Sequence, residues 1–297
     1  MESSDASIGR ATALIVISAV SFGSISVLTV LTTDAGIPLL TIMAWRYVLG
    51  AFILGATVRR HRGGSISRRR AIHLLLIGGF GQALITYLSL YALRYIPVGP
   101  LAFLFYTYPA WVAIIASIRG TEKLTTVRVT ALMLALIGVA VMVGMPVERL
   151  NPIGVGLAFA SASLYSIYLP ALEHVQQGMP AMFATFLLIL GAAVSFVLAA
   201  LFAGELFVPQ DPSVWTNIIL LAVVSTVIAF SSLIKGLSVL GPVRTAIMAT
   251  VEPFFTAVLG VIVLHNWLSA STLVGGILIA AAILVIEWSS TRFAATA

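Results

Sequence analysis

The sequence predicts an all-α membrane protein of ten transmembrane helices, arranged as two inverted five-helix repeats. Three observations carry that expectation: ten apolar stretches of bilayer length, a strong sidedness of the basic residues, and an internal similarity at a spacing of 144 residues. The chain has 297 residues, of which 60% are hydrophobic and 9% charged, with a mean hydropathy of +1.11. No water-soluble core requires that proportion.

The ten stretches run Ala11 to Leu31, Pro38 to Val58, Ile72 to Leu93, Val98 to Ile118, Val127 to Met145, Pro152 to Leu172, Ala181 to Ala203, Val214 to Ile234, Pro242 to Val263 and Leu268 to Trp288. At about 1.5 Å per residue each carries roughly 30 Å of helix, the thickness of a hydrocarbon core. Irregular backbone cannot face lipid, and runs this continuously apolar read as helices rather than as the alternating strands of a barrel. The first residues, Met1 to Ser7, are polar and acidic without the basic start of a signal peptide, so the first span is expected to remain in the mature chain.

Placing the amino terminus in the cytoplasm puts thirteen Lys and Arg on that side: Arg10, Arg59, Arg60, Arg62, Arg68, Arg69, Arg70, Arg119, Lys123, Arg128, Lys235, Arg244 and Arg292. Arg94 and Arg149 fall outside. Cytoplasmic loops carry such an excess, so both termini are expected in the cytoplasm. The same positions account for the net charge of +6, which makes a nucleic-acid partner an unneeded explanation; the expected surroundings are lipid bilayer. The basic loop after span two orients the chain, and it can also meet anionic headgroups.

Slid on itself by 144 residues, the chain matches Leu93, Ala102, Pro109, Ala113, Ile118 and Leu124 to Leu237, Ala246, Pro253, Ala257, Ile262 and Leu268 without a gap. Apolar residues coincide easily in such a composition, but Pro109 and Pro253 lie at the same depth of spans four and nine. The implied repeats are residues 1–145 and 146–297, forming one integral bundle. With five spans each, the second starts on the opposite side of the membrane from the first, the arrangement used by carriers that open a central site to one face and then the other.

Zero cysteines removes thiol chemistry, and His61, His73, His174 and His265 share no helical face, so neither a metal site nor a Ser/His relay assembles from spacing. There is no nucleotide-cradling Gly-Lys-Ser/Thr sequence and no intramembrane Asp pair. The expected protein is not an enzyme and needs no cofactor. A channel would want rings of carboxylates or a selectivity sequence, which the spans lack.

Several local motifs resemble one family across both halves. They are Phe22-Gly23-Ser24, Ala44-Trp45-Arg46, Tyr106-Thr107-Tyr108-Pro109 and Gly120-Thr121-Glu122-Lys123-Leu124-Thr125 in the first half, and Val251-Glu252-Pro253 in the second. With these the chain resembles the ten-helix, EamA-like branch of the drug/metabolite transporter superfamily, which includes aromatic and neutral amino-acid exporters. The resemblance implies a multi-pass exporter of the inner membrane that works by alternating access, monomeric or weakly dimeric. Two positions depart from the family pattern: Asn266 stands before Trp267-Leu268-Ser269 where an acidic residue is common, and Phe22 stands where Trp is frequent.

Charges at membrane depth single out Arg46 and Glu252, because such residues persist where they are paired or line a cavity. For Arg46 the two readings are snorkelling to the interface, or pairing with carbonyls or a carboxylate to hold the halves together. Glu252 precedes Pro253, which leaves a carbonyl unpaired one turn earlier. It can carry a proton, bind a substrate amine, or serve structure and gating together with Pro109 and Pro253. Candidate solute-binding residues are the polar and aromatic residues of the spans that the resemblance places around the cavity: Ser24; Gln82 and Thr86 on one face of span three, with Tyr87 and Tyr91 on another; Phe103 and Tyr106; Tyr165 and Tyr168; and Ser231. Ser and Thr at such places often serve helix packing instead. A tyrosine hydroxyl at membrane depth needs a partner, so several together indicate a wet, amphipathic cavity. Alanine at Tyr106 or Tyr168 is expected to impair transport more than folding. No convergent Lys and Arg suit a phosphate ester, which favours a small zwitterionic or neutral solute, amino acids first. Export of another metabolite or drug, or a scaffold that transports nothing, stays open.

Overall fold

The computed structural model describes residues 2–60, 68–92, 94–96, 98–122, 124–144, 150–265 and 269–294. Arg62, Lys123, Arg149, the junction between residues 145 and 146, Asn266-Trp267-Leu268 and Ala297 lie outside them. Helices α1 (Glu2–Asp34) and α2 (Leu39–Arg60) form spans one and two. Span three consists of α3 (Arg68–Leu76), a π-helical segment (Ile77–Gln82) and α4 (Ala83–Ala92). Span four is α5 (Val98–Phe105) followed by α6 (Tyr108–Ile118). Spans five to seven are α7 (Thr126–Val143), α8 (Pro152–Gln176) and α9 (Ala181–Phe202). Then come α10 (Pro212–Ala222), a second π segment (Val223–Ile228), α11 (Ala229–Ala249), α12 (Glu252–Leu264) and α13 (Ala270–Ala294).

Among the described residues, eight helical runs are long and apolar enough to cross a bilayer, and two shorter apolar helices, Glu252–Leu264 and Ala270–Ile286, complete the ten. The eighth run appears too long because α11 contains a fold-back at Gly241, whose φ of 75° and ψ of 170° leave helical space. Glycine reaches that positive φ without strain, and Pro242 after it has no N–H to continue the ladder. Span eight therefore ends at Gly241, and span nine comprises the remainder of α11 and all of α12. Spans six and eight start on polar caps: at α8 Asn151 Oδ1 accepts from Ile153 N at 2.9 Å, and at α10 Asp211 Oδ1 accepts from Ser213 N at 2.8 Å. That second bond holds the Asp211 carboxyl below the usual carboxylate range.

The ten helical spans expected from the sequence are present, and spans three, four, eight and nine are interrupted. Spans four and nine break in the same place, at Tyr106-Thr107 and at Thr250-Val251, each just before a proline at the second position of the following helix. Proline cannot donate to the carbonyl four residues back. The first half-helices accordingly stop at Phe105 and Ala249, four residues before Pro109 and Pro253. Spans three and eight carry the two π segments, which begin 146 residues apart at Ile77 and Val223.

Helix pairing repeats the same relation. Span five packs on span ten, and span two on span seven, so each of these pairs maps onto itself when the repeats are exchanged. Span one packs on spans eight and nine, and span six packs on spans three and four, as exchange of the repeats requires. In the absence of a hydrophobic driving force between helices in lipid, close approach through small residues supplies the attraction. At the seam of α7 and α13 a Cβ on Gly138 would sit 2.8 Å from the Gly275 carbonyl oxygen and 2.8 Å from Ile279 Cγ1. Gly138→Val is expected to cost at least about 1–3 kcal/mol as the helices are forced apart. Thermal denaturation of the purified protein in detergent checks this; an unchanged melting temperature contradicts the seam.

Candidate functional site

The two broken spans deliver their break residues to one place near the middle of the bundle. From span four come Phe105, Tyr106 and Tyr108, and from span six come Tyr165 and Tyr168, three residues apart on one face of α8. Their rings form a connected set. Tyr108 meets Tyr165 edge-on at 4.6 Å between centroids, Tyr165 stacks on Tyr168 at 5.6 Å, and Phe105 lies 5.5 Å from both Tyr108 and Tyr165 and 5.6 Å from Tyr106. Edge-to-face and offset contacts of this kind add to the ordinary gain from burial. Glu252, in the first turn of α12, reaches this set from the other repeat: its carboxylate lies near the Tyr106 hydroxyl and acts electrostatically on Tyr106, Tyr108, Tyr165 and Arg46. Tyr108 and Glu252 are 144 residues apart, the spacing of the internal similarity.

Arg46 does not snorkel. It is buried, donates from Nε to Thr226 Oγ1 at 2.7 Å and from Nη2 to the Ser225 carbonyl at 2.8 Å, and lies over the Tyr47 ring at 5.0 Å. Both acceptors belong to the second π segment, where the wider turn changes the pattern of backbone bonding and makes a carbonyl available. Ser24 Oγ donates to the Ser21 carbonyl and shares a 2.7 Å bond with Ser225 Oγ, so span one is tied to the same segment. Phe22 packs edge-on against Phe230 at 4.9 Å, a contact within the span-one and span-eight pair.

The two stripes of span three part company. Gln82 Nε2 donates to Thr86 Oγ1 at 3.3 Å, and the Gln82 side chain lies near the Tyr47 hydroxyl on the inner side of the span. Tyr87 is 54% exposed on the outer surface and stacks on Tyr91 at 5.6 Å, which in turn meets Tyr95 at 5.9 Å and lies under Arg94. These two tyrosines form a ladder with Tyr95 and are not gathered with Tyr106, Tyr165 and Tyr168. Phe103 is half-buried against the main apolar core. Pro109 is buried at the start of α6, and Pro253 half-buried at the start of α12.

Two of the candidate residues carry buried oxygens with no hydrogen-bond partner: Tyr168 Oη and Ser231 Oγ. Buried polar groups are nearly always paired, so these two hydroxyls stand apart from most of the buried polar atoms of the bundle. Tyr106 and Tyr168 are both buried, at 7% and 5% exposure, which alters the expectation for alanine at these positions. Removing either ring opens a void in the core, so alanine damages the fold as well as any site, and phenylalanine is the substitution that separates the two. Tyr47 and Phe105 were not anticipated. Tyr47 is the immediate neighbour of Arg46, and Phe105 is the fourth residue before Pro109, the position at which a helix interrupted by that proline must end.

A solved crystal structure described as "Crystal structure of protein" superposes with a TM-score of 0.79 at 18% sequence identity, covering 96% of this chain and 99% of that one. At that identity the likeness establishes the fold. No curated protein matches the chain at a significant level. The EamA-like transporter family profile matches twice, over residues 9–144 and 152–288, one match to each five-span repeat. The chain is a multi-pass membrane protein that belongs to the EamA-like transporter family.

Proposed function

We propose that this protein exports small solutes, amino acids first among them, by alternating access, with the repeats 1–145 and 146–297 rocking about the site between them. One observation carries the reading. Side chains from the broken spans of opposite repeats come together: Tyr108, with Tyr106 beside it, packs on Tyr165, and Glu252 of the other broken span acts electrostatically on the same tyrosines, near the unpaired hydroxyl of Tyr168. A carrier of inverted repeats binds at the repeat interface, commonly on discontinuous helices. The tyrosine rings offer an apolar wall and the hydroxyls and carboxylate offer polar anchors, which suits a solute with an apolar side chain and a polar head.

In this reading the protein lies in the inner membrane as a monomer or weak homodimer, and its partners are the bilayer and the solute. Flux is tested in proteoliposomes loaded with a panel of amino acids, with and without a pH gradient. Saturable, mutually competitive efflux is expected; equal leakage from protein-free vesicles would leave the scaffold reading, and flux restricted to other metabolites would change the solute class.

The loop charges predict that both termini are cytoplasmic. A compartment-sensitive reporter fused after Ala297 is expected to be active in its cytoplasmic form. Activity confined to the outer-side form would reverse the orientation of both repeats.

A further inference from the structure

We propose that the central site recognises a protonated primary amine, held at Glu252 among the tyrosine rings, and makes no charge contact with a solute carboxylate. Amino acids, their amides and the corresponding carboxyl-free amines then belong to one substrate class. The proposal rests on the exporter reading and refines it.

Arg46 and Glu252 carry charge at membrane depth, and they differ in what they can offer a solute. A carboxylate has about four acceptor directions, and on Glu252 the Tyr106 hydroxyl is near enough to use at most one of them. Arg46 is close enough to act on Glu252 through its charge, but it gives its hydrogen bonds to Thr226 and Ser225. Its third nitrogen, Nη1, faces Met43 Sδ at 3.9 Å, and the group is 2% exposed. The guanidinium fork that ordinarily recognises a carboxylate is therefore committed to the second π segment. Glu252 retains acceptor capacity for a mobile cation, whereas Arg46 has no fork to offer a mobile anion.

The rings complete the preference. Tyr106, Tyr108 and Tyr165 all lie within electrostatic range of Glu252, and their faces carry the negative side of the aromatic quadrupole. An ammonium group gains from both the carboxylate and the faces, and a carboxylate on the same spot is repelled by both. Tyr168 adds an unpaired hydroxyl within the same stacked set, able to accept one ammonium proton or to bond the remainder of a polar head.

The test uses four compounds that share one ring: phenylalanine, phenethylamine, N-acetylphenylalanine and 3-phenylpropanoate. Each is measured at pH 7 by its ability to stabilise the purified full chain thermally and to inhibit phenylalanine counterflow in proteoliposomes. Phenethylamine is expected to act within about threefold of phenylalanine, and the two compounds lacking a free amine at least about tenfold more weakly. Glu252→Gln is expected to erase that difference. Should Glu252→Gln fail to fold, Tyr106→Phe keeps the ring, removes the hydroxyl nearest the carboxylate and is expected to retain the amine preference, while the wild-type panel decides the question by itself. Equal action of N-acetylphenylalanine, or failure of phenethylamine where phenylalanine acts, overturns the amine rule and leaves the exporter reading standing. Absence of both counterflow and stabilisation across the panel overturns the exporter reading as well.

Discussion

Gly78→Val is expected to abolish recovery of folded protein. Gly78 lies in the first π segment, and a Cβ there would overlap the backbone of Leu188 on α9, its carbonyl oxygen first and then its carbonyl carbon and Cα at 2.7 Å. The approach is reciprocal. A Cβ on Gly191 would overlap the Leu75 carbonyl oxygen and come within 2.7 Å of Gly79 N. A flexible side chain can swing out of the way, but backbone on both sides means that spans three and seven must separate along their length. Overpacking in well-packed interiors costs about 1–3 kcal/mol even where side chains can adjust, so a clash with backbone exceeds that range. It also removes the dispersion contacts that hold helices together in lipid. Gly156→Val provides the control: no atom lies within 4 Å of its Cβ position and the site faces outward on α8. Size-exclusion chromatography of the two variants should give a monodisperse peak for Gly156→Val and none for Gly78→Val. A normal peak for Gly78→Val would mean that this seam is packed more loosely than described.

The reason this seam escaped the sequence is also the reason the spans did not. Bilayer-length apolar runs are a one-dimensional signal, and so is the proline rule that stops α5 at Phe105 and the first half of span nine at Ala249. A π segment is a matter of which carbonyl each amide chooses. Gly78-Gly79-Phe80-Gly81 hints at one in span three, but Val223-Val224-Ser225-Thr226 in span eight contains no glycine and reads as ordinary helix. Arg46 could be recognised as costly without its acceptors being known, because Thr226 lies 180 residues away in sequence. The stripes of span three were legible as two faces, Gln82 with Thr86 and Tyr87 with Tyr91. Which face turns inward depends on the rotation of the helix in the bundle, and periodicity does not fix that when both faces are amphipathic.

Tyr168→Phe is expected to leave stability at or slightly above wild type while reducing transport. Two properties of one atom lead to this. The Tyr168 hydroxyl is buried without a hydrogen-bond partner, so deleting it breaks no bond in the resting fold and relieves the cost of an unsatisfied polar group, about 1–3 kcal/mol for such groups in general. The ring itself remains, with its stacking on Tyr165 and its packing against Gly81, where a Cβ would meet Tyr168 Cδ2 at 3.2 Å. If the hydroxyl bonds the solute, its loss removes about 1–1.5 kcal/mol of binding, roughly a five- to tenfold rise in the half-saturating concentration. Tyr168→Ala differs in removing the ring as well, with a core penalty of about 3–5 kcal/mol. The pair of variants therefore separates two roles that alanine alone confounds: a purely structural Tyr168 gives a normal phenylalanine variant in both melting and flux, and a solute-binding Tyr168 gives one that melts normally and transports poorly. Melting curves and flux per folded molecule, recorded on the same preparations, decide between them, and wild-type flux in Tyr168→Phe would remove this hydroxyl from the site.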